Sequence, residues 1–331
     1  MVWIQFIISS AIIVAAGIRL TIYADALSER LRLGKAWIGI ILLGLVTSLP
    51  EAVASITAVA SLHANDLAIG NMVGSNNFNI VLIFLMDIVY RQGSVTNGFV
   101  FRKGSVLPIL FAVALTFIIS AEICFKGAVP VFGFLGGGAL FVGAGYLLGI
   151  RILSHYQEEP HVAVEEGLIP GVAARTLPVI YINLFVCAAL VVLGAVWLVG
   201  TADTIAEITG LGKTFVGTLF LAFVTSLPEM VVTISAVRLG ALQMALGNIF
   251  GSNMINMFII FLTDLVYKKG AILATVSQTH LVAAFSSILL SLIVLAGIKY
   301  NKKKTLLGLG VDSWVIAIIF LFSMNLVYML R

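Results

Sequence analysis

The sequence predicts an all-α membrane protein: ten transmembrane helices arranged as two inverted five-helix repeats. Three observations carry that prediction. Of 331 residues, 61% are hydrophobic and only 10% charged, against about 25% charged in an ordinary soluble domain. The charge-poor stretches divide into ten runs near the ~20 residues that cross a bilayer. Two long segments of the first half also recur in the second, which marks a duplicated unit. So little polar surface excludes a cytosolic enzyme, a nucleic-acid binder and a secreted disulfide scaffold. The net charge of +4 rests on only 19 Lys and Arg, and these serve membrane orientation better than phosphate binding. No nucleic-acid partner is expected, and membrane lipid surrounds the chain. Cys124 and Cys187 lie in or beside apolar runs with no partner motif and read as buried thiols.

The first span runs from Val2 to about Tyr23, with Arg19 near its end. It lacks a basic n-region and a cleavage site, so it reads as a helix and not a signal peptide. The second lies between Lys35 and His63, interrupted only by Glu51, and the third is the uncharged run Leu67 to Met86. The others cover about 104–121, 128–150, 176–200, 214–237 (interrupted by Glu229), 241–263, 278–298 and 311–330. Runs of this length must be helical, because the bilayer offers the backbone no other hydrogen-bond partner outside a closed barrel.

Lys and Arg in the loops set the orientation. The loops after odd-numbered spans carry thirteen of them, including Arg30, Arg32, Lys35, Arg91, Arg102, Lys103, Arg151, Arg175, Arg238 and Lys299. The opposite side has five: Lys126, Lys213, Lys268, Lys269 and Arg331. This bias places the richer side in the cytoplasm and both termini outside the cytoplasmic membrane. Residues 151–175 form one sizeable cytoplasmic loop with two histidines and four glutamates. Their spacing matches no ligand pattern, so the loop reads as a solvated linker. It separates a first repeat, 1–150, from a second, 176–331.

Residues 23–51 align without gaps to 201–229, with about half of the positions identical, and 67–93 aligns to 244–270. Each unit holds five spans, an odd number, so the copies enter the membrane from opposite sides. That inverted topology is a hallmark of secondary transporters. Arg30 and Arg32 align with Ile208 and Gly210, so the cytoplasmic charges vanish where inversion puts that loop outside.

Each copy carries Val-Thr-Ser-Leu-Pro-Glu inside an apolar helix, at 46–51 and 224–229. An ionisable group near the bilayer centre costs about 2.5–3.5 kcal/mol, so Glu51 and Glu229 are candidate functional residues by default. Thr47 and Ser48 share a helical face with Glu51. Pro50 and Pro228 lack an N–H and are expected to kink or unwind their helices, freeing carbonyls around Gly44–Thr47 and Ala222–Thr225. The two clusters are built of oxygen alone, which suits hard cations such as Ca²⁺ and Na⁺ and not zinc or copper.

The next helix of each copy supplies GNMVGSNNFN (70–79) and GNIFGSNMIN (247–256). Gly70 with Gly74, and Gly247 with Gly251, form faces for close helix approach. Ser75 with Asn79, and Ser252 with Asn256, stand four apart and can add oxygens to the same sites. Asn71, Asn76, Asn248 and Asn253 read as interhelical hydrogen-bonders. Asp87 and Asp264, near helix ends, read as interfacial charges or partners of a basic residue. His280 has no repeat counterpart and reads as a packing or interfacial residue.

These tandem segments resemble the α-repeats of the cation/calcium antiporter superfamily, most of all its prokaryotic sodium/calcium exchangers. The likeness spans both repeats and the ten-helix layout. It implies a calcium site of Glu51, Glu229 and the main-chain carbonyls of Thr47 and Thr225. It implies flanking sodium sites lined by Ser48, Ser75, Ser226, Ser252 and the carbonyls of Gly44 and Ala222, with both glutamates shared and Asn79 and Asn256 at the centre. The motifs then extend over 44–79 and 222–256, and the first helix of each repeat would slide to alternate access. Two departures stand out: Val46 and Val224 replace the family's usual Gly, and Asn256 replaces the Asp of several sodium-coupled members. The expected function is exchange of Ca²⁺ for Na⁺ by a monomeric antiporter that is not an enzyme and holds no resident cofactor. Proton coupling, or Mg²⁺ or Mn²⁺ as the divalent ion, is the alternative on the same fold. A cation channel fits least.

Overall fold

The computed structural model describes residues 1–90, 93–98, 103–126, 131–156, 175–209, 223–300 and 305–330. Helix α1 is Val2–Leu31, and α2 is the span Lys35–Ala60. Then follow α3 Asn65–Tyr90, α4 Lys103–Cys124, α5 Gly137–His155 and α6 Leu177–Ile208. The second half continues with α7 Leu227–Arg238, α8 Leu242–Tyr267, α9 His280–Tyr300 and α10 Val311–Met329. Nine helices among the described residues are long and apolar enough to cross a membrane. The remaining sequence-predicted span, 214–237, begins outside the described residues, as does most of the 151–175 loop.

The spans sort by depth. α8 is the most deeply buried and packs against α2, α3, α4, α5 and α7, whereas α10 is the least buried. α1 lies along α6, so the first helices of the two repeats are neighbours. One face of α1 packs Ile13, Leu20 and Ala24 inward, while Trp3, Ile4 and Ile7 are exposed on the other, as lipid-facing side chains should be. Cys187 is buried, but Cys124 is exposed at the end of α4 and does not behave as the buried thiol expected.

Helix α2 departs from the α form at Gly39–Leu43, a π segment between the turn Lys35–Ile38 and the α-helix Gly44–Ala60. Such wide turns are uncommon and concentrate at functional sites. The irregularity expected at Pro50 is absent: the helix runs unbroken through it. Glycine packing explains where the backbone does deviate. A Cβ on Gly39 would strike the carbonyl of Met244, and one on Gly44 would lie 2.9 Å from the Ser252 nitrogen. From the other side, a Cβ on Gly247 would strike the Ala36 carbonyl, and one on Gly251 would lie 2.6 Å from the Ile40 Cα. Two glycine faces thus bring the α2 and α8 backbones into direct contact.

The fifth span begins later than the hydropathy suggests. A short antiparallel hairpin, Val131–Phe132 with Leu135–Gly136, precedes α5, and a matching one, Thr305–Leu306 with Leu309–Gly310, precedes α10. Gly136 and Gly310 are the N-caps of these helices.

Candidate cation-binding site

The sequence-predicted residues converge where α2 and α3 meet α7 and α8. Glu51, Thr47, Ser48, Ser75, Asn79, Ser226, Glu229, Ser252, Asn256 and Thr225 are all buried, none more than 4% exposed. Gly44 is buried with them. Ala222, the expected counterpart of Gly44, lies outside the described residues.

The two copies interlock across the repeat boundary. Ser48 Oγ donates toward Glu229 Oε1 at 3.5 Å. Thr47 Oγ1 lies 3.2 Å from Ser252 Oγ and 3.4 Å from both Asn248 Oδ1 and the Gly44 carbonyl. Ser252 Oγ also reaches that carbonyl, at 3.5 Å. Glu51 and Glu229 lie close enough for their charges to interact. Among the described residues no ion pair reaches either glutamate.

Several oxygens converge here without a partner. Both carboxylate oxygens of Glu51, Oε2 of Glu229, the hydroxyls of Ser75 and Ser226, and Oδ1 of Asn79 and Asn256 accept or make no hydrogen bond among the described residues. Buried polar atoms are nearly always satisfied. These seven oxygens come from α2, α3, α8 and the start of α7, and oxygen-only sets of this kind suit hard cations.

The asparagines hold the helices together, as expected. Asn71 Nδ2 donates to Ser55 Oγ at 3.1 Å, and its counterpart Asn248 donates to Thr233 Oγ1 at 3.0 Å. Asn76 and Asn253 exchange bonds with each other's main-chain carbonyls, both at 3.3 Å.

The identical Val-Thr-Ser-Leu-Pro-Glu segments hold two backbone conformations. In the first copy all six residues are helical. In the second, the helical turn at 223–225 breaks at Ser226, and α7 restarts at Leu227 with Pro228 in its first turn. A proline there sacrifices no helix hydrogen bond, since first-turn N–H groups have no intrahelical partner.

Asp87 and Asp264 have no basic partner among the described residues. Both are fully buried. Asp87 accepts the N–H of Val95 at 2.6 Å and of Gly310 at 2.7 Å. Asp264 accepts those of Ile272 and Gly136, both at 2.7 Å. Position near a helix end suggested an exposed charge; unpaired N–H groups in the following turns are what draw the side chains inward. His280 fits its reading: Nε2 lies 2.9 Å from Asp66 Oδ1, and the ring covers Gly70. Sequence reasoning missed Asp25, buried and paired with Lys35 Nζ at 2.8 Å. The signal was present, because Asp25, Glu29 and Lys35 recur as Asp203, Glu207 and Lys213 in the aligned segment.

Comparison with known proteins agrees with this geometry. The family described as sodium/calcium exchanger protein matches residues 1–150 and 179–330. The sodium/calcium exchanger MaX1 of Methanosarcina acetivorans is 30% identical over 304 residues, 81% of this chain and 84% of that protein. The inner membrane protein YrbG of Escherichia coli K12 is 28% identical over 269 residues, 80% of each. Among solved structures, the sodium-calcium exchanger NCX_Mj soaked with 2.5 mM Na⁺ and 0.1 mM Sr²⁺ superposes with a TM-score of 0.72 at 19% identity, over 100% of this chain and 99% of that one. The shared fold is the ten-helix inverted repeat.

Proposed function

The chain belongs to the sodium/calcium exchanger protein family, and on that premise we propose that it exchanges Ca²⁺ for Na⁺ across the cytoplasmic membrane by alternating access. It is a cation/calcium antiporter and not an enzyme. The observation that carries the proposal is the pair Glu51 and Glu229, buried among bare oxygens with no basic partner among the described residues. An empty, ionised pair inside the barrier is costly. A carrier that crosses between its two open states mainly when that charge is neutralised exchanges cations and does not leak them.

In this reading Ca²⁺ binds Glu51, Glu229 and the carbonyls of Thr47 and Thr225. Na⁺ ions take Ser48, Ser75, Ser226, Ser252 and the carbonyls of Gly44 and Ala222, while Asn79 and Asn256 line the centre. The two backbones of one hexapeptide support alternating access: the copies sit in unlike conformations, and exchanging them would close one side and open the other. The charge bias of the loops supports a cytoplasmic membrane location with both termini outside. The protein works as a monomer, since one chain supplies both acids.

The test is radiolabelled calcium uptake into proteoliposomes under an imposed sodium gradient or an imposed proton gradient. Sodium-driven uptake supports the proposal. Equal uptake with sodium absent throughout favours proton coupling, the reading that Asn256 keeps alive by replacing a possible third acid. Competition by Mg²⁺ or Mn²⁺ in the same assay reports the divalent preference.

A further inference from the structure

A second cluster of oxygens lies at the end of α3, apart from the transport centre. Asp87 stands eight positions beyond Asn79, about 12 Å further along the helix axis, on the face that the loop charges assign to the cytoplasm. Asp312, in the first turn of α10, is close enough for the two charges to interact. Ser94 Oγ donates to Asp312 Oδ1 at 3.1 Å and Thr96 Oγ1 to Oδ2 at 2.5 Å, and the two hydroxyls lie 2.7 Å apart. The hydroxyl of Ser313, fully buried beside Asp87, makes no hydrogen bond among the described residues. Among the same residues no ion pair reaches either acid.

The main-chain contacts of Asp87 do not need these neighbours. Asp264 makes the equivalent contacts in the other repeat, accepting Gly136 and Ile272 N–H groups at 2.7 Å. There the aligned positions carry no oxygen in their side chains: Ala271 for Ser94, Leu273 for Thr96, Gly138 for Asp312 and Ala139 for Ser313. One repeat alone has thus gathered three hydroxyls and a second carboxylate around an acid that already holds its turn. Two carboxylates and three hydroxyls, without nitrogen or sulfur, are ligands for a hard divalent cation. Such an ion would cancel two like charges that otherwise repel in a largely buried setting.

We propose that Asp87, Asp312, Ser94, Thr96 and Ser313 form a second divalent-cation site, separate from the transport centre, with Ca²⁺ as its ligand. Ser94 and Thr96 meet the ion with their lone pairs while still donating to Asp312, and the bare Ser313 hydroxyl gains a partner. Asp312 is only half-buried, so the ion enters past it from the aqueous side. Once bound, it braces the end of α3, the helix that carries Ser75 and Asn79, against the head of α10 and the turn Val95–Gly98.

The test uses the full chain in detergent with Glu51→Gln and Glu229→Gln together, which removes both of those charges from the transport centre. Equilibrium dialysis against ⁴⁵Ca²⁺ should still find one bound ion per chain, and added Ca²⁺ should raise the unfolding midpoint. Asp312→Asn on that background should abolish the midpoint shift and weaken binding at least about tenfold. Ser94→Ala with Thr96→Val leaves both carboxylates in place and should weaken binding about tenfold; it decides the question if Asp312→Asn does not fold. Binding that neither change weakens would put the ion elsewhere and overturn the site, and so would the absence of any binding. Exchange by the wild-type chain is read separately in proteoliposomes, so loss of this site leaves the transport reading standing.

Discussion

Asp87 Oδ2 accepts the main-chain N–H of Gly310 at 2.7 Å, joining the end of α3 to the N-cap of a helix 223 positions later. Asp264 Oδ2 does the same for Gly136 at the head of α5. Each clasp crosses from one repeat to the other, and each acid also holds a nearby turn through Val95 or Ile272. Removing the carboxylate strands two buried donors. Asp87→Ala and Asp264→Ala should each lower stability by about 2–4 kcal/mol, with Asp87→Asn milder because one acceptor remains. Thermal unfolding in detergent measures this, and an unchanged midpoint would show that the turns find other acceptors.

The contact between Gly251 and Ile40 leaves no room for adjustment. A methyl on Gly251 would sit 2.6 Å from both the Cα and the carbonyl oxygen of Ile40, and main chain cannot rotate aside. Gly251→Ala should cost about 3 kcal/mol by forcing α8 away from the π segment of α2. Gly200→Ala is the control: nothing lies within 4 Å of its added methyl, and it should gain about 0.5–1 kcal/mol from lower chain entropy. Equal midpoints for the two variants would contradict the close approach.

The membrane class, the span count and the pairing of the two glutamates were legible because they depend on composition and on repeated letters. Backbone detail was not. Pro50 and Pro228 stand in identical hexapeptides, yet one lies in an unbroken helix and the other in a helix's first turn. Sequence alone cannot separate them, because the letters are the same and only the surroundings of each copy differ. The clasps of Asp87 and Asp264 were equally hidden, since their partners are main-chain groups, which every residue but proline carries. The hairpin at 131–136 was lost in an apolar run, 128–150, that read as helix, and the one at 305–310 fell in the gap between two spans.

The Asp25–Lys35 pair joins α1 to the start of α2. Asp25 is nearly inaccessible, whereas the Lys35 side chain is about one-third exposed. Deleting the lysine strands a buried charge; deleting the acid frees a cation that can reach water. Lys35→Met should therefore destabilise by about 1–2 kcal/mol after screening, and Asp25→Asn by less. A double-mutant cycle on unfolding midpoints isolates the coupling, and zero coupling would reduce the pair to coincidence.

The loop charges assign each loop to one side of the membrane, and labelling tests that assignment. With Cys124 replaced by Ser, a cysteine at Lys269 should react with an impermeant maleimide in intact cells, and one at Lys299 only after the membrane is opened. Lys269 precedes α9 and Lys299 lies in its last turn, so the pair brackets a single crossing. The reverse pattern would invert the topology assigned from the loop charges.

Glu51 and Glu229 are pseudo-equivalent by sequence, but their surroundings differ. Ser48 reaches Glu229 Oε1 across the repeats, whereas both oxygens of Glu51 are bare among the described residues. If each supplies half of the charge that a divalent ion must meet, neither can be spared. Glu51→Gln and Glu229→Gln should each cut calcium uptake at least about thirtyfold, the loss typical when one member of a buried charge contact is removed. Both substitutions preserve shape and remove a buried charge, so unfolding midpoints should hold or rise. Ser48→Ala should be milder than either, because it removes a contact to Glu229 and one proposed Na⁺ ligand but leaves both charges in place. Full uptake in either glutamine variant would take that residue out of the site.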